Sequence, residues 1–449
     1  MAATSEPKNV STKLQRIAGL AREAPDMALT TLAHHMDLDF LKEAYRRTRK
    51  DGAPGVDGQL ADEYGGNLDS NLLSLLERFK SGTYRAPPVR RVHIPKGDGT
   101  RTRPIGVPTF EDKVMQRAVT MILEAIYEQD FLDCSYGFRP GRSAHQAVDA
   151  LWTGMTKIAG GVVIELDIES FYDTIDHGRL RSFLDQRVRD GVLRRMIDKW
   201  LKAGVLEKGK VSHSETGTPQ GGVASPILAN IYLHEVLDRW FEEQVKPRLD
   251  GKSFLVRYAD DAVLVFSSEN DARRVFEVLP KRFARFGLTL HREKTRMVSF
   301  RRPRPDAGNR MEGRATKPGS LDFLGFTHFW GRARQGKWII KRKTASSRFS
   351  RAVRRIALWC RKHRHQSIEE QHRSLVAKLR GHYGYYGITG NGWQISAFRT
   401  RVSEIWRKWL DRRSQRSRMS WEKFRRVLQR FPLPPAVAIH SVCRLVAKP

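Results

Sequence analysis

A chain of 449 residues, 40% of them hydrophobic, is long enough to bury the cores of two or three ordinary domains. Its 81 Lys and Arg against 49 Asp and Glu leave a formal charge of +32, and a surface that basic calls for a polyanionic partner, nucleic acid before an anionic membrane. No run approaches the ~20 apolar residues of a spanning helix, and residues 1–10 lack the apolar core of a secretory signal.

Along the chain, residues 11–49 place Leu14, Ile17, Leu20 and Ala21 at helical spacing. The turn chemistry of Asp51-Gly-Ala-Pro-Gly-Val-Asp-Gly58 ends that pattern. Two short β runs, 92–94 and 104–107, flank Gly97-Asp-Gly-Thr100, a hairpin with a basic tip. A helix is expected over 111–127 and a strand over 162–166, after which a helix runs from Asp176, its N-cap, toward Asp190. Residues 254–258 and 262–266 read as strands with only Ala259-Asp260-Asp261 between them. A helix over 270–286 and β character at 288–290 and 296–300 follow. The order β–α–α–β–β–α–β describes an α+β sheet with helices on one face. Residues 303–319 form a Gly/Pro/Arg boundary, and beyond about Lys341 the pattern is basic helices, broken at Pro432-Leu-Pro-Pro435.

The chemistry lies in carboxylates at strand ends. Phosphoryl transfer from a nucleotide needs two divalent ions, about 3.5–4 Å apart, clamping the attacking and leaving oxygens. Mg²⁺ takes a few carboxylates together with waters and substrate phosphates. Asp167 ends one apolar strand, and Asp260 and Asp261 fill the tight connection of two others. Packing alone does not put carboxylates there, because an unpaired buried charge is costly. A bare Asp-Asp is ordinarily a solvated turn; apolar flanks and the third Asp favour a metal cluster.

Those residues carry a resemblance. Tyr258-Ala-Asp-Asp261 resembles the signature of reverse transcriptases, and the family's other motifs stand around it in order. Leu166-Asp-Ile-Glu-Ser-Phe-Tyr-Asp-Thr-Ile-Asp-His177 is similar to the first metal motif, and Thr218-Pro-Gln-Gly-Gly-Val-Ala-Ser-Pro226 to that of the nucleotide pocket. Gly287-Leu-Thr-Leu-His-Arg-Glu-Lys-Thr295 and Phe323-Leu-Gly-Phe326 resemble the later motifs. Arg103-Pro-Ile-Gly-Val-Pro108 and Ser135-Tyr-Gly-Phe-Arg-Pro-Gly-Arg-Ser143 look like the group II intron branch, as does Leu379-Arg-Gly-His-Tyr-Gly-Tyr-Tyr386 in its maturase region.

The resemblance implies a right-hand polymerase. It has an N-terminal helical extension (1–50), fingers (51–160), a palm with an antiparallel sheet (161–330) and a basic helical thumb/maturase region (331–449). Asp167 and Asp260 then bind two Mg²⁺ ions (or Mn²⁺), with Asp261 and the carbonyl of Ile168 completing the cluster. Tyr172 lies under the sugar and selects dNTPs; its alternative is a core aromatic. Lys96 and Arg103 hold the triphosphate, with Arg101 as the alternative to Arg103 and RNA-backbone contact as the alternative role for Lys96. Gln220 and Gly221 line the nucleotide pocket, unless Pro-Gln-Gly is a plain turn. Lys294 donates a proton to pyrophosphate, or is simply solvated. Asp173 and Asp176 read as structural.

Residues 301–449 hold 36 Lys and Arg against 8 Asp and Glu, leaving 45 against 41 for the rest. Interleaved with Trp and Tyr, that charge suits a helical bundle with one face on structured RNA, at Arg380, His382, Tyr383 and Tyr386. The expected partners are group II intron RNA, an RNA template with DNA primer, and dNTPs. Cys134, Cys360 and Cys443 form no CxxC pair, which points to a reducing compartment and to no zinc-bearing endonuclease domain of the kind many group II intron proteins carry. A bacterial cytoplasm, at the nucleoid's target DNA, is the expected location. Two rivals share these residues: an RNA-binding maturase with vestigial polymerase activity, and a family-derived enzyme of DNA repair or phage defence.

Overall fold

The computed structural model describes residues 6–96, 101–207, 209–212, 216–218, 221–303, 319–413 and 418–440. The chain divides into two compact units, Met1–Leu151 with Gly161–Met297 and Trp152–Gly160 with Val298–Pro449.

In the first unit, the helix Glu6–Glu23 turns Val10, Ile17 and Ala21 into the same core as the helix Phe110–Tyr127. The N-terminal segment is therefore part of this core. The helical run expected to residue 49 breaks after Glu23, where Pro25 cannot continue it. Arg187 collects the freed carbonyls of Ala21, Ala24, Pro25 and Met27 at 2.6–2.8 Å. Helix resumes at Leu38–Arg47, where the Asp37 side chain accepts from the Phe40 N–H. Asp176 likewise caps the helix His177–Asp185, accepting from the Arg179 N–H.

The strands run β1 (Val89–Lys96), β2 (Arg101–Val107), β3 (Val162–Leu166), β4 (Val205–Glu207), β5 (Lys210–Ser212), β6 (Ser253–Tyr258), β7 (Asp261–Phe266) and β8 (Arg296–Ser299). One sheet has the order β2-β1-β4-β5 and another β6-β7-β3-β8. The expected hairpin is β1–β2, antiparallel with Ile94 opposite Arg103; its tip, 97–100, lies outside the described residues. In the second sheet Val162, Ile164, Leu166, Ala262, Leu264 and Phe266 enter the large core. Val163, Val256, Val263 and Val265 alternate with core-facing residues and are buried too. Both faces are covered, where a helical layer on one face was expected.

The second unit takes in strands as well as helices. β9 (Leu321–Phe323), β10 (Phe326–Arg332) and β11 (Trp338–Thr344) form its own sheet, in the order β11-β10-β9. The basic helices expected from Lys341 start only at Ser346. The cause is β11, whose alternate residues Ile340, Arg342 and Thr344 are buried. Arg342 lies inward with its guanidinium 5.1 Å from the Trp152 ring, so a cation occupies a position that period-2 patterning reserves for apolar residues. The helices Ser346–Lys362, Ile368–Tyr386, Gly392–Asp411 and Trp421–Arg430 then pack around Trp406, Leu379, Phe398 and Phe424. Among the described residues no helix is long and apolar enough to cross a membrane.

Candidate active site

β6 and β7 are joined through Ala259 and Asp260, with Tyr258 paired to Asp261. Ala259 takes the left-handed backbone, φ +57°, that so short a turn demands. On the other side, β7 pairs with β3 in a register that sets Leu166 opposite Ala262. One step further, Asp167 stands across from Asp261, and alternation turns both away from the core face that Leu166 and Ala262 share. Asp167 and Asp260 are half-buried and Asp261 is exposed.

The backbone of Asp167 is fixed from its other edge. Its carbonyl accepts from the His291 N–H at 2.9 Å and the Thr295 hydroxyl at 3.2 Å, while the Glu169 N–H donates to Thr289 at 2.8 Å. Because 167 and 169 address that segment, the carbonyl of Ile168 between them faces the opposite edge, where β7 begins. The same segment delivers Lys294, whose Nζ lies 3.0 Å from Asp167 Oδ1.

Sequence reasoning missed what locks the turn. Arg257, inside β6, is wholly buried. Its Nε and Nη2 donate to both oxygens of Asp238, itself 0% exposed, at 2.7 and 2.5 Å. Nη1 reaches Asn230 Oδ1 at 2.9 Å and the carbonyl of Ala259 at 3.1 Å, and Nη2 reaches Ser135 Oγ at 2.8 Å. Burial opposes this charge, and Asp238 more than restores it. The helix Ser225–Leu233 widens into a π-turn at His234–Asp238 and so brings Asp238 to the guanidinium. Gly137 presses on the turn from outside: a Cβ there would lie 2.3 Å from the Ala259 nitrogen. An Arg within an apolar strand demands a buried acid, but the sequence does not say which one.

A second wall forms around Tyr172, which is 9% exposed. Burial and the nearby Asp260 carboxylate push its phenol up to about 12, against the pull of Arg103, so these three residues share one neighbourhood. The Tyr172 carbonyl accepts from the Thr218 N–H at 2.7 Å, and His177 Nε2 lies 2.6 Å from the Gly217 carbonyl. Gly221, at φ +114°, abuts the hairpin; a Cβ there would stand 2.5 Å from Ile105 and 2.6 Å from the Gly106 carbonyl. Beneath it, Gln116 Oε1 accepts from the N–H groups of Val223 and Ala224 and is itself held by the buried Asp112. Arg103 is exposed on β2. Gln220 and the Lys96 side chain lie outside the described residues.

Of the residues expected to meet RNA, Arg380 is exposed, and His382 and Tyr386 are half-buried. Tyr383 differs. It is 3% exposed within the helical core and offers no ring face to a base, because helical spacing turns it toward Leu379 and Phe398.

Among the described residues, no three His, Cys, Asp or Glu side chains are gathered as a ready metal site. The donor chemistry does fit a hard divalent cation, since the side chains of Asp167, Asp260 and Asp261 and the carbonyl of Ile168 offer only oxygen. The Lys294 ammonium is a cation already resting on one of those oxygens.

Comparison with known proteins shows the family. The family model for "Reverse transcriptase (RNA-dependent DNA polymerase)" matches residues 94–328. The group II intron-encoded protein LtrA of Lactococcus lactis subsp. cremoris is 39% identical over 243 residues, covering 54% of this chain and 40% of that protein. Protein YkfC of Escherichia coli (strain K12) is 35% identical over 290 residues, covering 57% of this chain and 75% of the relative. The mitochondrial nuclear intron maturase 2 of Arabidopsis thaliana is 29% identical over 175 residues, 30% of this chain and 24% of that protein. The match thus spans less than half the length of the LtrA protein. By the family model and these relatives, the chain belongs to the reverse transcriptase family, in the group II intron-encoded reverse transcriptase and maturase branch.

Proposed function

We propose that the chain is an RNA-directed DNA polymerase that also grips group II intron RNA as a splicing maturase and supports intron mobility. The observation that carries this reading is Asp167 standing across from Asp261, beside a turn fixed from within by Arg257. The family generally uses divalent metal ions, and its relatives include a group II intron-encoded protein and an intron maturase.

Asp167 and Asp260 would hold two Mg²⁺ ions, or Mn²⁺, with Asp261 and the Ile168 carbonyl beside them. Such ions, when bound, activate the primer hydroxyl and neutralise phosphate charge. The chain's own groups do the rest. Arg103 and Lys96 clamp the triphosphate of the incoming dNTP. Tyr172, wedged beside Asp260, closes the space a 2′-hydroxyl needs. Gln220 and Gly221 line the pocket, the glycine letting backbone come close. Lys294, released from Asp167, donates a proton to the departing pyrophosphate. In this reading the β1–β2 hairpin belongs to the fingers, the β6-β7-β3 sheet is the palm, and the basic helices are the thumb and RNA grip, with Arg380, His382 and Tyr386 toward RNA. Its place is the cytoplasm, at the nucleoid's target DNA.

The test is primer extension on an RNA template with dNTPs and Mg²⁺. Full-length cDNA is expected; no product from folded, RNA-binding protein would leave a maturase without polymerase activity.

A further inference from the structure

The helices Ser346–Lys362 and Ile368–Tyr386 each turn one stripe into a cleft of about 520 Å³. Arg348, Arg351, Arg355 and Trp359 recur along the first at spacings of three and four. Lys378, His382 and Tyr386 recur along the second at four, and Phe398 completes the lining. Four cations and no carboxylate face the cleft. The ion pairs of this unit's helices are made elsewhere among the described residues, by Arg373, Arg401 and Arg426. Among the described residues, Arg348, Arg351 and Arg355 make no ion pair.

The far side of the cleft is aromatic. His382 stacks on Phe398 with centroids 3.8 Å apart at 22°, and lies 4.7 Å from Tyr386. Burial pushes its imidazole down to about 4, so it is neutral at physiological pH. Its Nε2 is shut from water with no hydrogen-bond partner, a state that buried polar atoms rarely keep without cause. Lys378 Nζ stands 5.2 Å above the Trp359 ring. The volume falls in the range of roughly 300–1,000 Å³ typical of small-ligand pockets.

We propose that this cleft takes one unpaired nucleotide of the bound RNA, its base against the His382–Tyr386 shelf and its phosphates on Arg348, Arg351 and Arg355. The proposal rests on the RNA-binding reading above and narrows it from a basic surface to a site. An unpaired base offers a free edge and a free face to such a site. A base within a duplex has that edge occupied and both faces stacked, so a helix cannot fill the cleft.

The full chain should be titrated by fluorescence anisotropy with a short labelled single-stranded RNA and with the duplex of the same strand. His382→Leu and the double variant Arg351→Gln/Arg355→Gln are each expected to weaken single-strand binding about tenfold while changing duplex binding little. With 4-thiouridine in the strand, crosslinks should fall on the peptides of Trp359 or Tyr386. Equal losses on strand and duplex, or none on either, overturn the pocket. Wild-type protein that binds neither RNA overturns the RNA-binding reading itself. Should His382→Leu lose its circular-dichroism signature, the arginine pair, which alters no core residue, and the wild-type crosslinks decide.

Discussion

Lys294 Nζ rests 3.0 Å from Asp167 Oδ1, so one flexible ammonium neutralises the carboxylate that the proposed chemistry needs for metal. The pair is part-exposed, at 54% and 32% for the two side chains, and therefore weak enough to exchange. Lys294→Gln should remove both the competitor and the proton donor. The expected outcome is extension slowed by about 10²-fold, together with a lower Mg²⁺ concentration at half-maximal rate. A Mg²⁺ requirement that rises in the variant would mean that Lys294 does not compete for Asp167.

Arg257 is held to stabilise the turn by a buried charge pair, and removing one partner strands the other. Arg257→Met should cost about 3–5 kcal/mol, read as a lowered midpoint in urea. Adding Asp238→Leu should return much of that stability, because the lone buried acid is gone. It should not return polymerisation, since the contact to the Ala259 carbonyl is still missing. Recovery of activity along with stability would show that the arginine serves the fold alone.

Tyr172 is buried with Asp260 and Arg103 as its charged neighbours, and is proposed to lie under the nucleotide sugar. Tyr172→Ala should raise incorporation of ribonucleotides relative to deoxynucleotides by about one to two orders of magnitude; Tyr172→Phe should leave the ratio near wild type. Parallel single-nucleotide kinetics with each triphosphate give the ratio. An unchanged ratio in the alanine variant assigns the ring to packing.

Much of this arrangement could be read from the sequence. The strands around Asp260 announced themselves as apolar runs with two acids between them, and Asp176 announced its helix by cap chemistry. What stayed hidden was set by tertiary contact. Arg257 is a cation in an apolar strand whose acid lies on a different element. Arg342 is a cation inside a strand that therefore read as basic helix. Tyr383 sits in a basic, aromatic stretch, and only the helix's packing says which rings point inward. The three strand-end acids follow from strand order and register, whereas the ammonium on Asp167 depends on how residues 288–295 wrap the strand.

Asp112 supplies a pH dependence outside the reacting centre. It is 2% exposed, and burial pushes its carboxyl up to about 6 despite hydrogen bonds from Trp200, Tyr84 and Gln116. Unfolded, it titrates near 3.8. Between about pH 4 and 6 the folded state keeps a proton that the unfolded state has lost. This group therefore makes stability fall as pH rises through that window, by about 3 kcal/mol, and level off above it. Asp112→Asn should flatten that part of the urea-stability profile. The same slope in the variant would place the titrating group elsewhere.

The acids at the β6–β7 turn and the end of β3 are proposed to do the chemistry, while the basic helices hold RNA. Asp260→Ala, assayed side by side for primer extension on an RNA template and for RNA affinity, tests it most directly. Extension should vanish, with affinity within about twofold of wild type, since no phosphate contact is lost. CDNA synthesis at wild-type rate, or loss of RNA binding together with activity, would contradict the account.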